Sequence, residues 1–173
     1  MKLTLPKSFI PLFRTNHAGE TGAVYIYKAI LLVSKDKDVV DFSKKHLKTE
    51  SDHLSIIEEI LEEGDRSKLI FLWKIAGFLT GFIPSFLGKN FIFATIFYVE
   101  SFVEKHYQDQ IDMIDKNKEF LELKNLIKKL QEDEVSHKNE AFFEATNFNK
   151  FQKTWGKFIE YGSSIAVSIS KKI

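Results

Sequence analysis

Two Glu-x-x-His pairs, Glu50 with His53 and Glu134 with His137, are the residues of this sequence best placed to do chemistry. On a helix, side chains three residues apart share a face, so each pair can present a carboxylate and an imidazole to one metal ion. Either pair alone is a weak signal, because Glu and His recur often in a lysine-rich helical chain. Position in the chain strengthens it. If the chain folds back near Asp36, Glu20 lies 16 residues before the turn and Glu50 lies 14 after it. If it folds back again near Asn117, Glu100 and Glu134 are each 17 residues from that turn. Each hairpin then sets one lone Glu level with one Glu-x-x-His. That is the donor set of a dinuclear carboxylate site in a four-helix bundle, where one Glu from each of two helices meets a Glu-x-x-His from each of the other two. Two divalent irons bring four positive charges, which four carboxylates offset while neutral imidazoles complete the coordination and leave positions open for oxygen. Glu20, Glu50, His53, Glu100, Glu134 and His137 are the expected ligands.

The elements that must position these residues are helical. With 17 Phe, only three Pro and 28% charged residues, the composition fits long amphipathic helices and an all-α fold. The spacing predicts a first helix from after Pro11 to about Ser34, with Asn16 as its N-cap, and a polar break at Lys35–Asp38. A second helix is expected over Val39–Glu63, closed by Gly64 as the residue after its C-terminus. A third is expected over Asn90–Asp115, a fourth from Lys118 to about Thr146, and an amphipathic fifth over Trp155–Ile173 that Gly162 weakens. Between the hairpins, residues 69–97 form a long apolar crossover. Its charge-free stretch, Ile75–Gly88, is 14 residues long and contains Pro84, short of the roughly 18–20 residues that span a bilayer. The segment is therefore expected to lie in a membrane surface, with Lys74 and Lys89 reaching headgroups, or else to pack as a crossover over the bundle.

At 173 residues the whole chain, 1–173, is expected to be a single domain. A net charge of +1 gives no electrostatic case for nucleic acid. The absence of cysteine removes disulfides, thiolate metal ligands and thiol nucleophiles together. Met1–Phe9 carries no recognisable targeting signal. Tyr27 and Tyr107 each lie seven residues beyond a candidate ligand, so each returns to nearly the same helix face and points at the metal layer, unless it serves as an ordinary core tyrosine. His17 is placed beside the site or at the helix start, and His46 is expected at the surface. The Glu58-Glu59 and Glu62-Glu63 pairs are expected to be exposed and without a histidine partner. Gly19 and Gly22 are expected to mark a close helix approach or a substrate channel, and Gly77-x-x-x-Gly81 a helix-packing face.

The stretches Asn16-His17-Ala18-Gly19-Glu20, Glu50-Ser51-Asp52-His53, Val99-Glu100 with Glu104-Lys105-His106-Tyr107, and Glu134-Val135-Ser136-His137 resemble the demethoxyubiquinone hydroxylase family. The resemblance continues through Trp73, Gly77 and Leu87-Gly88-Lys89 to the last helix, and so covers nearly the whole chain. It implies a ferritin-like bundle with the same six residues as ligands of two iron ions, and His106 beside the site. It further implies an O2-dependent monooxygenase that hydroxylates a polyprenyl demethoxybenzoquinol in ubiquinone biosynthesis, with NADH or another reductant supplying electrons. A peripheral position on the cytoplasmic side of a bacterial inner membrane is expected, as are contacts with other ubiquinone-biosynthesis proteins and a homo-oligomer. The rival reading of the same ligands is a ferritin- or rubrerythrin-like protein that oxidises iron or scavenges peroxide; that reading has no need of an apolar crossover.

Overall fold

The computed structural model describes residues 5–115, 120–145 and 147–173. Among them are six α-helices and no strand: α1 (Ile10–Val33), α2 (Lys37–Ile60), α3 (Ile70–Ser85), α4 (Lys89–Asp115), α5 (Leu121–Glu144) and α6 (Lys150–Ser170). Helices α1 and α2 form one hairpin, α4 and α5 the other, and together they make a ferritin-like four-helix bundle with α3 laid on α1 and α6 on α4 and α1. The expected turn near Asn117, the start of α5 at Lys118 and its end at Thr146 lie outside the described residues.

Local chemistry sets the boundaries and corrects several expectations. Asp36 caps α2 by accepting from the Val39 amide (3.1 Å), so this helix begins inside the Lys35–Asp38 run. It ends at Ile60, where Leu61 turns extended, and Gly64 lies in a separate 3-10 turn over Glu63–Asp65. Asn16 is no N-cap. Helix α1 begins at Ile10 with Pro11 in its first turn, where a missing N–H costs nothing, and Asn16 is buried in mid-helix, exchanging amide hydrogen bonds with Gln110 of α4 (3.0 and 2.7 Å). Helix α6 starts at Lys150 rather than Trp155, fixed by a capping box between Asn149 and Gln152.

The apolar crossover is two different things. Its first part is α3, packed on α1 through Gly77 and Gly81: a Cβ at either would stand 2.2 Å from a backbone carbonyl oxygen, that of Gly22 or of Ile26. Its second part is core, because Phe91, Ile92, Phe93, Ala94 and Ile96 are buried within the bundle. Gly88, with φ of 95°, makes the turn between the two, a conformation that favours glycine. Lys89 pairs with Asp38 and Glu144 instead of extending outward, and Lys74 lies over the Tyr25 ring, 5.7 Å from its centroid. Within the crossover, the exposed apolar face belongs to α3 and its following turn, through Phe71, Leu72, Ile75, Leu79, Ile83, Phe86 and Leu87.

The core of the bundle is divided. One apolar cluster, including Phe13, Ile57, Ile111 and Ile127, fills one end, and another, including Ile30, Val39, Phe93 and Ile96, fills the other. Between them lies a buried layer of charge.

Candidate metal centre

Burying a carboxylate costs several kcal/mol unless a partner compensates it, and here Glu20, Glu50, Glu100 and Glu134 are 3%, 1%, 1% and 1% exposed. One comes from each bundle helix. His53 and His137, three residues beyond Glu50 and Glu134, turn into the same layer and are 2% and 3% exposed. The six residues predicted from spacing thus converge, and their donor atoms fall into two sets. Glu20, Glu50, His53 and Glu134 offer atoms within 4.8 Å of one another, as do Glu50, Glu100, Glu134 and His137. Glu50 and Glu134 belong to both sets, so the geometry has two positions, each with its own Glu and His, joined by two shared carboxylates.

His53 Nδ1 lies 3.1 Å from Glu134 Oε1, but other donor atoms of the layer have no such partner. Glu20 Oε2, Glu50 Oε1, Glu134 Oε2 and His137 Nδ1 are buried without a hydrogen-bond partner, although His137 Nδ1 is only 2.9 Å from Glu50 Oε1. Native proteins rarely leave buried polar atoms unpaired. An unpaired set of hard oxygen and imidazole donors at this spacing fits two divalent cations. Protonation in the folded chain reflects the same crowding. Burial, then the neighbouring carboxylates, pushes Glu50 and Glu100 well above the usual carboxylate range. Burial also opposes charge on Glu134, but the His137 and His53 rings beside it bring it to about 2, while Glu134 and Glu20 outweigh burial and raise His53 to about 11.

Tyr27 and Tyr107 both face the layer. The Tyr27 hydroxyl, on α1, donates to Glu100 Oε1 of α4 (3.2 Å), and the Tyr107 hydroxyl, on α4, donates to Glu20 Oε1 of α1. Each tyrosine therefore holds the unshared carboxylate of the opposite helix. His106 has Thr15 as its hydrogen-bond partner: its Nε2 lies 2.9 Å from Thr15 Oγ1. The Thr15 proton is spent on the Leu12 carbonyl (2.6 Å), so His106 Nε2 is the donor and its Nδ1 is left as the acceptor. Burial first, then Lys171, holds His106 down to about 4.

His46, Glu58 and His17 are placed differently from expectation, and Asp133 adds a neighbour that spacing did not point to. His46 is 1% exposed, not at the surface, and its ring meets that of His137 at 4.0 Å between centroids. It lies four residues before Glu50 and seven before His53 on one helix, a spacing that already put it on the ligand face. Glu58 does have a histidine partner, His17, at 3.1 Å; His17 lies in mid-helix rather than at a helix start. Asp133, unremarked in the sequence, lies beside His53, with Oδ2 3.1 Å from Nε2.

A cavity of about 570 Å³ ends on this layer. Glu20, Glu50, Glu100 and Glu134 line its inner end, and Gly77, Leu79 and Ile83 of α3 and Phe158, Ile159 and Ala166 of α6 line its walls. Leu79, Ile83 and Phe158 are also exposed, so the walls continue to the surface between α3 and α6. Gly19, with nothing within 4 Å of a Cβ built on it, contributes open space to the cavity rather than a close contact.

Comparison with known proteins places this geometry. Residues 8–170 match the family model described as Ubiquinone biosynthesis protein COQ7. The NADPH-dependent 3-demethoxyubiquinone 3-hydroxylase, mitochondrial, of Dictyostelium discoideum is 26% identical over 165 residues, covering 94% of this chain and 76% of that protein. The Homo sapiens protein of the same name is 28% identical over 166 residues, with 94% and 76% covered. The 3-demethoxyubiquinol 3-hydroxylase of Coxiella burnetii (strain RSA 331 / Henzerling II) is 30% identical over 133 residues, covering 76% of this chain and 61% of that protein. With the family match running through all six helices and both Glu-x-x-His pairs, the chain belongs to the COQ7 family of ubiquinone biosynthesis proteins.

Proposed function

We propose that this chain is an O2-dependent di-iron monooxygenase that hydroxylates the ring of a polyprenyl demethoxybenzoquinol in ubiquinone biosynthesis, with the whole chain acting as one domain. The observation that carries the reading is the apolar cavity whose inner end is the carboxylate layer. An iron-oxidising or peroxide-scavenging protein needs small polar ligands at its metals and has no use for a greasy channel of this size.

In this reading Glu20, Glu50, His53, Glu100, Glu134 and His137 would hold two iron ions, with Glu50 and Glu134 within reach of both positions. Bound iron supplies the oxygen activation that no side chain of this protein can perform. The protein's share is placement. Tyr27 and Tyr107 fix the unshared carboxylates, and the two apolar clusters on either side of the layer keep water out. The cavity admits the quinol ring edge-first with its tail trailing between α3 and α6. Across the reaction one oxygen atom is inserted into a ring C–H bond to give C–OH, and the other leaves as water. A reduced nicotinamide, named as NADPH for the mitochondrial relatives, supplies the two electrons, and two protons are consumed.

No described helix is long and apolar enough to cross a membrane. The exposed apolar faces of α3 and of α6, the latter through Phe158, Tyr161 and Ile165, support docking on a membrane surface at the cavity mouth, where a polyprenyl quinol enters sideways. Complementation of a strain that accumulates demethoxyubiquinone tests the function: the wild-type chain restores ubiquinone and Glu134→Ala does not. Restoration by Glu134→Ala would overturn the site, and failure of an expressed, iron-loaded wild type would overturn the substrate.

A further inference from the structure

The two imidazoles of the layer are held in different ways. His53 faces the layer with Nδ1 and has its Nε2 beside Asp133, the residue immediately ahead of Glu134. Metal-binding histidines usually donate their other ring N–H to an outer carboxylate, backbone carbonyl or water, and here it is a carboxylate. The symmetry of the two hairpins would give His137 its counterpart from the residue ahead of Glu50, and that residue is Thr49, which has no carboxylate.

His46, one turn earlier on α2, takes this flank. Its ring meets the His137 ring edge-on, at 70° and 4.0 Å between centroids. It is not free to turn, because Phe42 packs at 4.2 Å and Tyr27 stacks at 5.9 Å. Its Nε2 lies 3.1 Å from Glu140 Oε2 and donates to it. Glu140 is three residues beyond His137 on α5, so this bond ties α2 to the turn of α5 that carries the ligand. Lys45 holds the same carboxylate from the solvent side.

We infer that His46, anchored by Glu140, is a positioning residue that fixes the plane of the His137 ring, which makes the two metal positions inequivalent. One imidazole is oriented by a carboxylate hydrogen bond and the other by a packed, anchored ring. This inference rests on the dinuclear reading of the site.

Titration of the full-length, metal-free protein with Co(II), followed by its visible absorption and by chelator competition, tests both. Wild type binds two ions per chain. His46→Ala weakens one of the two by about tenfold, the low end of the range for losing an orienting partner, and alters its absorption band. Glu140→Ala weakens the same position by less, and the double variant loses no more than His46→Ala, since Glu140 acts through His46. Asp133→Asn weakens the other position. Isotherms and spectra of His46→Ala and Glu140→Ala that superimpose on wild type overturn the assignment, as do additive losses or Asp133→Asn weakening the same position. Should His46→Ala not fold, Glu140→Ala, whose side chain is 32% exposed, carries the test. Wild type that binds no Co(II) overturns the dinuclear reading and this inference with it.

Discussion

At the scale of single residues, the design separates groups that hold charge from groups that must stay neutral. His106 is of the second kind. Its value in the folded chain, about 4, lies below the ordinary 6.5 because burial disfavours the imidazolium. Between those values the unfolded chain binds the proton more readily, so stability from the neutral ring is full above about pH 6.5 and lost as pH falls toward 4. The whole window is worth at most about 3 kcal/mol. Urea unfolding of metal-free protein at pH 7 and pH 4.5 should show wild type losing more stability than His106→Gln, and equal losses would contradict the burial argument. The candidate ligand set was legible because it obeys two spacings at once, three along a helix and nearly equal distances from two turns. The places of His46 and Asn16 are not legible from residue type alone. An isolated His reads as surface and an Asn before apolar residues reads as a cap, whereas the partners that bury them, Glu140 and Gln110, are 94 residues away in each case.

Among the elements, α3 is the one whose placement decides the cavity, and two glycines decide α3. Gly77→Ala puts a methyl group into the Gly22 carbonyl, so α3 must move off α1; overpacking of this kind costs roughly 1–3 kcal/mol. Gly162→Ala on α6 meets nothing within 4 Å and should gain up to about 1 kcal/mol of helix propensity. Thermal unfolding of the two variants is expected to move in opposite directions, and a stabilised Gly77→Ala would show that α3 does not pack as closely as described. Helix existence and type were readable from periodicity, while ends were not. The close of α2 at Ile60 and the start of α6 at Lys150 are set by Leu61 turning extended and by a side-chain capping box. The crossover misled for a related reason: α3 and the first turns of α4 are equally apolar, but one turns a face outward and the other is wrapped on all sides by the bundle. Hydropathy alone does not distinguish them.

For the molecule as a whole, a near-neutral chain conceals a strong internal division, with a layer of buried carboxylates in the middle and an apolar mouth between α3 and α6. If the exposed faces of α3 and α6 meet lipid, the protein sediments with liposomes, and replacing one exposed aromatic on each, Phe71→Glu with Phe158→Glu, releases it while leaving metal loading intact. Retained sedimentation of that variant would place the membrane contact elsewhere. The central claim, that the layer and the cavity together hydroxylate a quinol ring, is tested most directly by isotopic oxygen. Iron-loaded protein, a reduced nicotinamide and a short-tailed demethoxybenzoquinol under 18O2 should give a hydroxylated ring carrying one 18O atom, as read by mass spectrometry, and Glu134→Ala should give none. Product without 18O, or iron-loaded wild type that consumes 18O2 and leaves the ring unchanged, would contradict the account.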